Sequence, residues 1–123
     1  MMSKPLIAVI EDDESLRVAL AGLLRSLGYE ASSHASAEAF LESDRVEAVR
    51  CIITDIQLPG LSGIGLKQEL DTRAVGTAVI MITARVEEVL HARAMASGAL
   101  CLLKKPFEMD ALIGCIDRAL SKT

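Results

Sequence analysis

Short unbroken apolar runs recur along the chain, and most close on polar residues and lead into stretches whose apolar positions fall three or four apart. Leu6 to Ile10 is the first run, as expected of a strand buried on both faces. Leu16, Ala19, Leu20, Leu23, Leu24 and Leu27 then mark one face of an amphipathic helix, which Gly28 should stop. Tyr29 to Ser33 has a weaker strand pattern suited to a sheet edge, and Ser36 is placed to N-cap a short helix carrying Phe40 and Leu41. Cys51-Ile52-Ile53-Thr54 is the second clear strand and ends on Asp55. The turn QLPGLSG leads from it into a helix marked by Leu66 and Leu70. Ala78 to Ile82 is a third buried strand ending on Thr83, and Val86, Val89, Ala92 and Met95 are expected to line the next helix, which Gly98 closes. Leu100 to Leu103 forms a fourth, ending in Lys104-Lys105-Pro106. A final helix carries Met109, Leu112, Ile116, Ala119 and Leu120 on one face.

Five strands alternating with five helices imply an α/β fold, a parallel sheet with helices on both sides and right-handed crossovers. No repeat, low-complexity tract or internal linker breaks the pattern, so residues 1–123 read as a single domain. A 123-residue chain that is 51% hydrophobic can bury a substantial core and is too apolar for disorder. Its longest apolar runs reach only about half of the roughly 20 residues a membrane span needs. The start, MMSKPLIAVIEDDE, turns acidic at once, unlike a secretory signal. A cytoplasmic protein with no membrane partner is therefore expected. The net charge of −4 argues against direct binding of nucleic acid by this domain. Cys51, Cys101 and Cys115 each lie in an apolar segment with no CxxC among them, and are expected as buried reduced thiols. His34 and His91 each stand alone among polar residues and are expected at the surface.

In a parallel sheet, function collects outside the carboxyl ends of the strands. There the apolar runs deliver, in chain order, Asp12 and Asp13, Asp55, Thr83 and Lys105. The stretch AVIEDDES concentrates acid in one short turn, although two carboxylates about 5 Å apart repel by roughly 3 kcal/mol at an effective dielectric near 20. Three carboxylates without histidine or cysteine favour a hard cation, magnesium before zinc. Lys105 adds positive charge where a phosphoryl group would sit, and the Thr83 hydroxyl can donate to it. Such a set suits phosphoryl transfer by positioning and charge neutralisation.

The chain resembles a response-regulator receiver domain of the CheY-like superfamily over essentially its whole length. The resemblance rests on VIEDDE at 9–14, TDIQLPGLSG at 54–63, ITA at 82–84 and GALCLLKKPF at 98–107. It implies a doubly wound sheet of strand order 2-1-3-4-5, with Asp55 accepting a phosphoryl group from a sensor histidine kinase. Asp12, Asp13 and Asp55 would hold Mg2+ with the backbone carbonyl of Gln57, and Thr83 and Lys105 would contact the phosphoryl oxygens. Asp12 and Asp13 are aligned with the family's acidic pair, which leaves Glu11 and Glu14 to face solvent. The Lys105–Pro106 bond is expected cis, and Gln57 and Arg85 are expected to flank the site and tune phosphoryl lifetime. The domain would be a phosphoacceptor rather than an enzyme. Its partners would be the kinase, a downstream effector domain or protein and, on phosphorylation, a second copy of itself. The chain would be a single-domain regulator or the receiver of a longer transcription factor.

One position departs from the family pattern. An aromatic residue often stands three positions before the Lys-Pro lysine, and here that residue is Leu102. Leu102 is expected to stay buried in one rotamer, with the signal leaving through the helix of Val86 to Ala96. Among rival functions, a Rossmann-type or flavodoxin-like nucleotide binder needs a first loop free of acid. A haloacid-dehalogenase-like phosphatase needs DxD, whereas Gln57 stands two beyond Asp55. A pseudo-receiver acting only as a protein-interaction module would have lost part of the acid–lysine set.

Overall fold

The computed structural model describes residues 4–85 and 87–121. Five strands, β1 (Leu6–Ile10), β2 (Glu30–His34), β3 (Cys51–Asp55), β4 (Ala78–Thr83) and β5 (Cys101–Lys104), alternate with five helices. These are α1 (Glu14–Ser26), α2 (Ala37–Glu42), α3 (Gly63–Thr72), α4 (Glu88–Ala96) and α5 (Met109–Leu120). All strand pairs are parallel and the order is β2-β1-β3-β4-β5, the doubly wound arrangement expected.

Period-2 alternation divides the core into two halves. From β1, Ala8 and Ile10 face the half that contains Ala37, Phe40, Leu66, Leu70 and Ala94 of α2, α3 and α4. Ile7 and Val9 face the half that contains Leu20, Leu24, Leu112 and Ile116 of α1 and α5. This two-sided burial explains why the central strands read as unbroken apolar runs. Ser36 caps α2 by accepting from Ala39 N, and Gly28 and Gly98 follow their helices with φ of 94° and 99°. Among the described residues no helix is long and apolar enough to cross a membrane.

The α4 expectation is reversed. Val89 and Met95 are 72% and 42% exposed, while Ala94 is fully buried and Leu90 packs against the core; Val86 lies outside the described residues. Positions 86, 89, 92 and 95 repeat at exactly three residues and drift around a helix of 3.6 per turn. Leu90 and Ala94, four apart, give the stripe that faces the sheet.

Cys51, Cys101 and Cys115 are free, buried and gathered in the α1/α5 half-core. Burial pushes the Cys51 and Cys115 thiols up to about 12, reinforced by their sulfur neighbours. At pH 8 the folded domain should therefore leave these thiols unmodified by a disulfide reagent over minutes, because only about one in ten thousand would be thiolate. All three should react once urea unfolds the chain. Rapid colour release from the native protein would contradict this packing.

Candidate phosphoacceptor and cation site

The register of the sheet brings the acids together. Ile10 of β1 is opposite Thr54 of β3, so the next residues on each strand, Glu11 and Asp55, stand side by side at neighbouring strand ends. Glu11 N donates to His34 O at 3.1 Å, which carries the β1–β2 ladder one residue beyond the strand. Ile56 N to Ile82 O at 2.9 Å and Lys105 N to Thr83 O at 2.7 Å do the same for β3 and β5. The polar residues at these ends are therefore held by the sheet itself.

Glu11, Asp12 and Asp55 place carboxylate oxygens within 4.8 Å of one another. Lys105 Nζ donates to Asp55 Oδ2 at 2.7 Å and to Glu11 Oε1 at 2.9 Å. The remaining oxygens are also met: Gln57 N donates to Asp55 Oδ1 at 3.1 Å and Asp13 N to Glu11 Oε2 at 3.1 Å. Arg17 Nη1 donates to the Glu11 carbonyl at 2.8 Å. Glu11 and Asp55 are buried, whereas Asp12 is exposed and leaves the cluster open on one side. The Lys105–Pro106 peptide bond is cis, as expected.

Burial raises the Glu11 carboxyl above its ordinary range, and the nearby Asp55 charge adds to this, against the opposing pull of Lys105 and the Asp13 N–H. For Lys105, burial alone would weaken the ammonium. Its hydrogen bonds and charge contacts with Asp55 and Glu11 outweigh that and raise its pKa.

Two sequence expectations need correction. Glu11 does not face solvent; it is 1% exposed and belongs to the acid cluster. Asp13 is instead the N-cap of α1, its Oδ1 accepting from Leu16 N at 3.2 Å. The acidic pair thus lies one residue earlier than aligned, at Glu11 and Asp12. The other expectation concerns His34, which is half-buried rather than on the surface. Its ring meets Phe40 edge-on at 5.2 Å and its Nε2 lies 3.1 Å from Ser32 Oγ. Burial first, and Arg45 second, lower its pKa. His91 is exposed.

Thr83 is buried at the end of β4 and is engaged by neighbours of the acids rather than by the acids themselves. Its hydroxyl donates to Gln57 Oε1 at 3.0 Å and accepts from Arg85 N at 3.0 Å. Leu102 is half-buried, packed against the α2/α3/α4 half-core and lining a cavity of about 350 Å³ with Thr83, His91 and Lys104. Lys104 is exposed, so only Lys105 of the pair reaches the acids.

Gly63, at the start of α3, explains how that helix approaches so closely. A Cβ there would stand 2.5 Å from the Asp55 carbonyl oxygen and 3.1 Å from Ile56 Cα, both backbone atoms that cannot swing away.

Comparison with known proteins decides the family. The pattern described as "Response regulator receiver domain" matches residues 7–117. The chain belongs to the response regulator receiver family. The transcriptional regulatory protein FixJ of Azorhizobium caulinodans is 39% identical over 115 residues, covering 94% of this chain and 54% of that protein. Nodulation protein W of Bradyrhizobium diazoefficiens is 35% identical over 120 residues, covering 94% and 53%. The chain spans about half the length of these curated relatives. Among solved structures, the response regulator StyR superposes with a TM-score of 0.89 at 39% identity, covering 97% of this receiver and 60% of that chain. FixJ-N superposes at 0.88 with 31% identity, covering 99% and 98%. Receiver domains are phosphoacceptor modules. The Glu11/Asp12/Asp55 cluster, made wholly of hard oxygen donors, is consistent with a divalent-cation site.

The corrected acid pair makes a direct prediction. In a divalent-cation titration followed by NMR, Glu11→Gln should weaken binding clearly. Asp13→Ala should leave it near wild type and instead cost about 1 kcal/mol of stability through the lost cap. The reverse pattern would restore Asp13 as the ligand.

Proposed function

We propose that Asp55 is the phosphoacceptor of this receiver and takes its phosphoryl group from a phosphohistidine of a sensor kinase. The observation that carries this reading is the Lys105 ammonium bridging Asp55 and Glu11 at 2.7 and 2.9 Å. In the transfer, an Asp55 carboxylate oxygen forms a bond to phosphorus while the phosphorus–nitrogen bond to imidazole breaks, its electron pair leaving with the ring nitrogen. Lys105 offsets charge on the acceptor and on the phosphoryl oxygens. The Gln57 N–H fixes the Asp55 carboxylate rotamer.

Glu11, Asp12 and Asp55, with the Gln57 backbone carbonyl, would hold Mg2+, which supplies Lewis-acid neutralisation of phosphoryl charge. The donor set fits that ion on chemistry alone, since no nitrogen or sulfur ligand is present in the cluster. In the product the Thr83 hydroxyl exchanges Gln57 Oε1 for a phosphoryl oxygen. Because Arg85 N also holds that hydroxyl, its movement draws on the segment leading into α4. The cavity beside Leu102 gives this rearrangement room without a rotamer change at Leu102. The output is a transcriptional effector, a reading supported by the longer relatives described as transcriptional regulatory proteins.

Incubation with acetyl phosphate and Mg2+ should add one phosphoryl group, detected by intact mass and removed by hydroxylamine. Asp55→Asn should abolish the addition. Labelling that survives this substitution would place the acceptor elsewhere, and a wild-type domain that never labels would favour a phosphorylation-independent interaction module.

A further inference from the structure

The segment between β3 and α3 carries Gln57, yet it has few ties of its own. Among the described residues 58–61, one hydrogen bond connects the segment to the rest of the fold: Leu61 N donates to Glu38 Oε2 at 2.8 Å. The same oxygen lies so close to Gly60 that a Cβ at that position would collide with it. Gly60 has φ of 77°, so the chain turns through the left-handed region where the carboxylate meets it. Glu38 is itself well mounted. It sits in the first turn of α2 between Ser36, the N-cap, and Phe40, which is fully buried, and Ala37 beside it is fully buried as well.

We propose that Glu38 is a positioning residue for the phosphoacceptor site, clamping the β3–α3 segment so that Gln57 is presented correctly to Asp55 and Thr83. The inference rests on the function proposed above and deepens it. Gln57 bonds Asp55 through its N–H and Thr83 through its side chain, and its carbonyl is the expected fourth cation ligand. Downstream, the segment is fixed where Ser62 accepts from Gly65 N and Gly63 N donates to Ile56 O, both at 3.0 Å. Upstream it is fixed at Gln57. Between these anchors, Leu58 and Leu61 contribute apolar packing, which limits displacement but not rotation of the peptide planes. The directional restraint is the carboxylate–amide bond. That bond, and Glu38's own backbone N–H, hold its carboxyl below the usual carboxylate range.

The test uses Glu38→Gln, Glu38→Asp and Glu38→Ala beside the wild-type domain. The Leu61 amide proton, which donates to a carboxylate, should resonate far downfield in the wild type. It should move upfield in Glu38→Ala and Glu38→Asp and stay largely in place in Glu38→Gln, which keeps the reach and an acceptor oxygen. Mg2+ affinity from chemical-shift titration should fall in Glu38→Ala by about tenfold, the low end for residues that orient ligands from outside. Acetyl phosphate labelling should slow with it. Glu38→Gln should recover most of both, and Glu38→Asp, charged but one methylene short, should not. An unmoved Leu61 amide in Glu38→Ala would overturn the clamp. A displaced amide with wild-type affinity and labelling would overturn the positioning role. Wild-type protein that neither binds Mg2+ nor labels would instead refute the function proposed for Asp55, with the Leu61 signal still reporting on the clamp.

Discussion

An ammonium group shared by two buried carboxylates is the contact on which this domain's chemistry depends. Glu11 and Asp55 are brought side by side by the β1–β3 register, and Asp12 adds a third negative group within 4.8 Å. Unscreened, each pair of acids at such a distance repels by several kcal/mol at an effective dielectric near 20. Lys105 Nζ, bonded to both Glu11 and Asp55, is the local counter-charge. The balance remains incomplete: the raised Glu11 pKa means that the ionised carboxylate costs stability at neutral pH. That cost is relieved as pH falls through the raised value. Lys105 works in the opposite sense. Its raised pKa marks stability present below the ordinary lysine range and lost as pH rises through the folded value. The two shifts oppose one another at an acidic opening beyond the ends of the central strands β1 and β3.

The rest of the fold serves to keep that opening in shape. Ladder bonds continue past β1, β3 and β5, so the functional side chains are mounted on sheet rather than loop. The absence of a side chain at Gly63 allows α3 to seat against the Asp55 carbonyl. Arg17 ties the Glu11 backbone to α1, and Glu38 ties the segment after Asp55 to α2. Helices α1 and α2 thus each contribute a polar contact as well as an apolar face.

Most of the architecture was legible in the sequence because a parallel strand buried on both faces leaves an unbroken apolar run, and β1, β3 and β4 do so plainly. Asp55, Thr83 and Lys105 were legible because each follows such a run. Misreadings arose where local pattern underdetermines direction. The acidic run offers several adjacent carboxylates, and only the pairing of Ile10 with Thr54 decides that Glu11 joins Asp55 while Asp13 turns to cap α1. In α4 two apolar stripes compete, and packing on β5 selects Leu90 and Ala94 over Val89 and Met95. Glu38 gave no signal at all, since its partner is a backbone N–H 23 residues away.

The central claim is that these acids are a folded cation site whose mutual repulsion a divalent ion relieves. Thermal unfolding across a series of MgCl2 concentrations, with ionic strength held constant by NaCl, tests it most directly. Because the ion should bind only the native arrangement, stability should rise by about 1.4 kcal/mol at ten times Kd, or roughly 5 °C in a domain of this size. Asp12→Asn should begin more stable than wild type without magnesium and respond far less to it. A wild-type melting temperature that does not move with magnesium would contradict the account.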